Sequence, residues 1–179
     1  MHGEGNWIMK PIVKETEISK LFQFTDKVTI VTGADGLGEV LALGFAQAGA
    51  KIIMMDVVES KCAGTVKALA DAGFNAEYVL TDVTNPESVN AAVDQVVEKY
   101  SRIDILLHTA GVTRNKPCLD FTKDEIDFIL GVNLNGTIYM NQAVGRVMKR
   151  QCDGKILDIG SIGGLLSHMD QCMPYEASK

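Results

Sequence analysis

The sequence predicts an α/β fold, a doubly wound parallel sheet in three layers with helices on both faces. Three observations predict it. Short apolar runs of strand length alternate with longer segments of helical period along the chain. The runs at 51–55 and 103–107 are almost continuously apolar, as strands covered on both faces are. A glycine-rich turn from Gly33 to Gly38 joins the first run to a helical segment.

The elements follow in order. Val28–Thr32 reads as a first strand ending in the glycine turn. Glu39–Ala48 reads as a helix with Leu41, Ala42, Phe45 and Ala46 on one face and Gly49 as its stop. Lys51–Met55 is the second strand, and 59–72 a helix ending near Gly73. Ala76–Leu80 is the third strand. Asn85-Pro86-Glu87 marks a helix start, with Asn85 as cap and Pro86 in the first turn. Val89, Ala92, Val93, Val96, Val97 and Tyr100 share the apolar face of that helix. Ile103–Leu107 is the fourth strand. Thr122-Lys123-Asp124-Glu125 forms a capping box that opens one long helix to about Arg150. Lys155–Ile159 is the fifth strand.

Right-handed crossovers between parallel strands make the Rossmann arrangement the default, with strand order 3-2-1-4-5. That order leaves the fifth strand as an unprotected edge. The expectation is therefore a chain that is the front part of a longer protein, with further C-terminal strands missing. It divides into an N-terminal extension over 1–24 and a nucleotide-binding domain over 25–179, incomplete at its C-terminal side.

Composition narrows the function classes. The chain has 179 residues, a size for one domain with a real core, and a net charge of −6. No cluster of Lys and Arg stands out, which argues against nucleic acid and anionic membranes as partners. The apolar runs are too short for a transmembrane helix. Residues 1–24 carry Glu4, Glu15 and Glu17 and lack the apolar core of a secretory signal. Cys62, Cys118, Cys152 and Cys172 are scattered, and His2, His108 and His168 supply no zinc-ligand spacing. Four reduced, mostly buried thiols in a cytoplasmic protein are expected.

Thr32-Gly33-Ala34-Asp35-Gly36-Leu37-Gly38 follows a strand and opens a helix. Glycines let a backbone approach a pyrophosphate, and the helix start supplies N–H donors and the positive end of the dipole. The same turn could simply join strand to helix. Asp56 ends the second strand roughly 20 residues beyond the loop, the spacing expected of a carboxylate on the adenosine ribose. A carboxylate there repels a 2′-phosphate, which favours NAD over NADP. Tyr175 and Lys179 stand one helical turn apart on one face. An ammonium so placed stabilises a phenolate and lets a phenol move protons near neutral pH.

Taken together, these residues resemble the short-chain dehydrogenase/reductase family, over about Phe24 to Lys179. Asp82-Val83 looks like the family's pair beside the adenine. His108-Thr109-Ala110-Gly111 stands where the family usually has Asn-Asn-Ala-Gly. Asn133, Ser161, Tyr175 and Lys179 match its catalytic asparagine, serine, tyrosine and lysine. The resemblance implies hydride transfer between a nicotinamide and a secondary alcohol or ketone. It makes Tyr175 the general base or acid, Lys179 its activator and a ribose contact, Ser161 a donor to the substrate oxygen, and Asn133 the holder of a relay water. It implies that Gly33, Asp35, Gly36, Leu37, Gly38, Asp56, Asp82, Val83, Ala110 and Gly111 bind the coenzyme together with Tyr175 and Lys179. It also implies a homodimer or homotetramer acting on a small molecule. Arg114 and Leu21-Phe22-Gln23-Phe24 are similar to the gluconate and ketogluconate branch, which suggests a sugar acid or polyol. His168, between Ser161 and Tyr175, stands where family members contact substrate. His108 reads as a satisfied strand-end histidine.

Three departures keep a second reading open. The loop has one residue fewer between Gly33 and Gly36 than the family form and matches neither common glycine spacing, which puts its phosphate geometry in question. His108 and Thr109 replace two asparagines that usually brace the coenzyme loop. The family's segment after the lysine is not in this sequence. A truncated or degenerate dinucleotide-fold module without catalysis is the alternative.

Overall fold

The computed structural model describes residues 22–166 and 172–179. The expected extension falls largely outside them, as does His168, but Phe24 is described and stacks on Phe45 at 4.7 Å between ring centroids.

Five parallel strands form one sheet: β1 (Val28–Thr32), β2 (Lys51–Asp56), β3 (Ala76–Leu80), β4 (Ile105–His108) and β5 (Lys155–Asp158). Their order is β3-β2-β1-β4-β5, as expected from right-handed crossovers. The crossover helices are α1 (Leu37–Gln47), α2 (Glu59–Asp71), α3 (Pro86–Tyr100), α4 (Lys123–Leu130) and α5 (Gly136–Gln151). A short α6 (Met173–Ser178) closes the described chain.

Successive strand residues face opposite sides, so one continuously apolar strand feeds two cores. Ile30, Ile53, Met55 and Leu106 pack with Val89, Val93 and Val96 of α3 and with Met140 and Val144 of α5. Val31, Ile52, Met54 and Leu107 pack on the other face with Ala42 and Ala46 of α1 and Cys62 and Leu69 of α2. Two local signals are realised as expected. Asn85 Oδ1 accepts from the Glu87 and Ser88 amides at 2.8 and 3.1 Å. Thr122 and Glu125 form the reciprocal capping box.

Four expectations need correction. First, α1 begins at Leu37 rather than Glu39, because Gly36 at φ 55° turns the chain straight into the helix. Second, the long helix from Thr122 is not continuous. A π-helical segment, Gly131–Asn135, separates α4 from α5. Asn133 sits there with its side chain held by the Val112 backbone, and its carbonyl accepts from Thr137 Oγ1 at 2.6 Å. Third, β4 starts at Ile105. Just ahead of it, the Asp104 carboxylate takes the Val28 amide at 2.9 Å and also pairs with Lys27 and Arg102. Burial alone would raise the Asp104 carboxyl, but bonds from Arg102, the Val28 amide and Lys27 outweigh it and hold the group below the usual range. Fourth, of the cysteines only Cys62 is buried; Cys118 and Cys172 are partly exposed and Cys152 is exposed. Burial, reinforced by Asp56, pushes the Cys62 thiol up to about 11.

The edge strand β5 is exposed at all four residues. No described helix is long and apolar enough to cross a membrane.

Candidate active site

A cavity of about 410 Å³ opens at the C-terminal ends of β1, β2 and β4. Ligands bind there in open parallel sheets, because the strand order reverses and the crossover loops part. Gly33, Asp35, Leu37 and Gly38 line it from the glycine loop and the start of α1. Asp56 enters from β2, Asp82 and Val83 from the turn after β3, and Ala110 and Gly111 from the turn after β4. Of the expected coenzyme residues, Gly36, Tyr175 and Lys179 do not line this cavity.

The shortened loop still closes tightly. The Gly33 amide donates to Met55 O at 2.8 Å. A Cβ on Gly38 would fall onto the Gly33 carbonyl and lie 2.8 Å from Thr109 Oγ1, so only glycine lets α1 start this close to the strand end. Asp56 clamps the loop from the side. Its two oxygens accept from the Ala34 and Val58 amides, each at 2.9 Å. Asp82 holds the opposite turn through Thr84, whose amide and hydroxyl donate to Oδ1 at 2.9 and 2.7 Å.

Thr109 braces the turn after β4. Its hydroxyl donates to Thr32 O at 2.5 Å, while the Thr109 and Ala110 amides both reach Thr32 Oγ1 at 3.1 Å. His108 is 2 % exposed. Its Nδ1 meets Thr32 Oγ1 at 2.9 Å, yet Nε2 has no partner among the described residues. The expected strand-end histidine is thus only half satisfied among the described residues, with one ring nitrogen on Thr32 and the other buried without a partner. Burial, with Lys179 adding to it and Asp158 opposing, takes its pKa down to about 4.

Of the four expected catalytic residues, Asn133 and Lys179 meet beside this cavity at Gly111, and Ser161 and Tyr175 approach one another across Gly163. Lys179 caps α6 and places Nζ 5.9 Å from the Tyr175 ring centroid, on the shared face that the spacing demands. The ammonium donates to Ile159 O at 2.9 Å, just past β5. Asn133 uses both amide hydrogens, one on Val112 O and one on Ser178 Oγ, each at 2.9 Å, and its Oδ1 accepts from the Val112 amide at 2.8 Å. A Cβ on Gly111 would lie 3.4 Å from both Asn133 Oδ1 and Lys179 Nζ. The cavity and the lysine therefore meet at a glycine. Ser161 Oγ accepts from the Gly163 amide at 3.1 Å. A Cβ on Gly163 would stand 3.4 Å from that hydroxyl and 3.7 Å from Tyr175 Cε1. Serine and tyrosine thus flank one small residue.

Several participants were not legible beforehand. Lys61 on α2 lines the cavity and pairs with Asp35 at 2.7 Å, which raises its pKa. Only the tertiary approach of α2 to the loop links those positions. Ser178, which ties α6 to Asn133, and Thr32, the hub of the turn after β4, carried no spacing signal either. Arg114 lies over the Phe128 ring at 5.8 Å.

Residues 27–179 match the family model described as short chain dehydrogenase. The short-chain reductase protein NovJ of Streptomyces niveus is 38 % identical over 138 residues, covering 76 % of this chain and 53 % of its own length. A crystal structure of a gluconate 5-dehydrogenase from Burkholderia cenocepacia, in complex with NADP and tartrate, superposes with TM-score 0.85 at 34 % identity. That match covers 90 % of this chain and 64 % of the other. A short chain dehydrogenase/reductase from Burkholderia phymatum in complex with NAD gives TM-score 0.83 at 30 % identity, over 87 % and 56 %. The chain therefore spans between half and two thirds of the length of these relatives.

Proposed function

The chain belongs to the short-chain dehydrogenase family, and from that membership we propose that the protein is an NAD-dependent oxidoreductase acting on a secondary alcohol or its ketone. The observation that carries this reading is the meeting of Lys179 Nζ and Asn133 Oδ1 at Gly111, on the wall of the coenzyme cavity.

The cradle fits a dinucleotide: a Cβ-free approach at Gly38, the start of α1 behind it, and carboxylates at the ribose end. The coenzyme, when bound, supplies the hydride acceptor or donor. Tyr175 takes the alcohol proton in oxidation and returns it in reduction. Lys179, fixed on Ile159 O, holds positive charge over the tyrosine ring as that proton moves. Ser161 donates to the substrate oxygen beside Tyr175. Asn133 keeps one Oδ1 lone pair for a water on the Lys179 side.

Asp35, Asp56 and Asp82 outnumber Lys61 around the cavity, which favours NAD over the more anionic NADP. A sugar acid or polyol is the proposed substrate class, in keeping with Arg114 and with the gluconate 5-dehydrogenase relative. A homodimer or homotetramer is the proposed assembly. The reading as a degenerate, non-catalytic module rested on the shortened loop, the His108-Thr109 replacement and the segment after Lys179 that is not in this sequence. The loop nonetheless closes, and Thr109 braces the turn.

Tyr175→Phe tests the proposal on the full-length protein. Dehydrogenase turnover should fall by at least the roughly 10²–10⁴-fold typical of one positioned acid or base. Coenzyme affinity by calorimetry should stay nearly unchanged, since the ring is retained. A Tyr175→Phe protein with full turnover would sink the assignment.

A further inference from the structure

Thr32 ends β1, His108 ends β4, and the two are register partners in the sheet. Both are buried, at 0 % and 2 % exposure. Thr32 Oγ1 lies 3.1 Å from the Thr109 amide and 3.1 Å from the Ala110 amide. Amides can only donate, so they occupy both lone pairs of the hydroxyl oxygen. The same oxygen is 2.9 Å from His108 Nδ1. With its lone pairs taken, the hydroxyl has only its hydrogen left to give. Nδ1 is therefore the acceptor, and the ring proton resides on Nε2. Nε2 has no partner among the described residues. An unpaired buried donor is unfavourable, so packing alone does not account for a histidine here.

We propose that His108 is a positioning residue of the coenzyme site: its bare Nδ1 takes the Thr32 hydroxyl hydrogen and so turns both lone pairs of that hydroxyl onto the Thr109 and Ala110 amides. Those amides open the turn that walls the cavity. The turn also packs on the glycine loop, where a Cβ at Gly33 would lie 3.1 Å from Thr109 Oγ1 and 3.3 Å from Ala110 N. At its far end stands Gly111, against Lys179 Nζ. A proton added at Nδ1 would set three donors against one oxygen. Of the charged groups that act on the ring, Asp158 on β5 favours that proton and Lys179 opposes it. The consequence for coenzyme rests on the function proposed above; the tautomer does not.

The test compares His108→Asn with His108→Gln in the full-length protein. Asparagine can put an acceptor where Nδ1 stands, whereas glutamine reaches toward Nε2 and fills more of the ring volume. Positioning through Nδ1 predicts that His108→Asn keeps NAD affinity within about twofold. His108→Gln should weaken it roughly 3- to 10-fold, the scale of one hydrogen bond, with the loss in the coenzyme KM rather than in kcat. Amide exchange at Thr109 and Ala110 should quicken in His108→Gln alone. Nitrogen-15 histidine spectra of the wild-type protein at neutral pH should show the Nε2–H tautomer. An Nδ1–H tautomer, or a glutamine variant that matches wild type while the asparagine variant fails, overturns the proposal. A wild-type protein that binds no nicotinamide coenzyme refutes the function instead, and the tautomer and exchange data still decide the positioning role.

Discussion

β1 lies between β2 and β4 with all five residues buried, whereas the four residues of β5, at the sheet edge, are all exposed. Composition does not explain the contrast. β1 carries two threonines and buries both; β5 carries Ile156 and Leu157, which remain 37 % and 46 % exposed. Neighbours explain it. β1 has a paired strand on either side and residues in both cores, while among the described residues β5 pairs only with β4. The two halves of the site inherit this difference. The proposed coenzyme half combines close packing, a glycine against a backbone carbonyl, with hydrogen bonds at the buried Thr32 beneath a turn and at Asp56 beside the loop. The proposed catalytic half is held by hydrogen bonds: Lys179 on Ile159 O, Asn133 between Val112 and Ser178, and Ser161 on Gly163 N.

The largest effect that could break this comparison is a matched pair of core truncations. Ile53→Ala in β2 should cost about 2–5 kcal/mol of stability, as buried large-to-small changes do. In the 179-residue chain, Leu157→Ala in β5 should cost less than about 1 kcal/mol, because the side chain is already half in water there. Denaturant melts of both variants check it. Equal losses would mean that β5 is as tightly packed as the centre of the sheet.

A smaller effect sharpens the comparison through pH. The His108 ring, ordinarily near 6.5, is held down to about 4 in the folded protein, mainly by burial. The unfolded chain therefore takes up this proton first as pH falls. The contribution to stability is complete above about 6.5 and is lost on descending toward 4. The loss should be on the order of 3 kcal/mol. Urea midpoints measured across that range should slope in the wild-type protein and lose most of that slope in His108→Asn. Carboxylates such as Asp104 act at lower pH and are common to both.

The smallest predicted effect concerns coenzyme choice. Asp56→Ala removes a carboxylate from the ribose end and should move the NAD-to-NADP affinity ratio toward NADP by roughly 5- to 10-fold. The ratio cancels whatever the lost clamp on Ala34 and Val58 costs both coenzymes. An unchanged ratio by calorimetry would remove Asp56 from that role and leave Lys61 and Asp35 as the residues to vary.

Much of the fold was legible because it is written in local periodicity. Strand-length apolar runs, the Asn85 and Thr122 caps and the glycine stops depend on neighbours a few residues away. The helix start at Leu37, which Gly36 makes possible, and the π-helical break at Gly131–Asn135 were not legible, because residues distant in sequence take part in both. Gly38 must clear the Gly33 carbonyl and Thr109, and Asn133 must reach Val112 and Ser178. The candidate site divides in the same way. The glycine loop, Asp56 and the Tyr175–Lys179 pair follow from residue type at fixed spacing. That spacing brings Lys179 over the Tyr175 ring but does not say which carbonyl anchors it.

By itself the sequence determined the α/β class and the strand order and supplied a set of candidate residues, since period, handedness and spacing are properties of the chain. Only the tertiary structure decided which of those residues meet. It brought Gly111 between Asn133 and Lys179, placed Lys61 beside Asp35, and left one nitrogen of a buried histidine without a partner among the described residues. The physical reason is that a hydrogen bond or a missing Cβ acts over a few ångströms between elements far apart in sequence, and no local pattern encodes that distance.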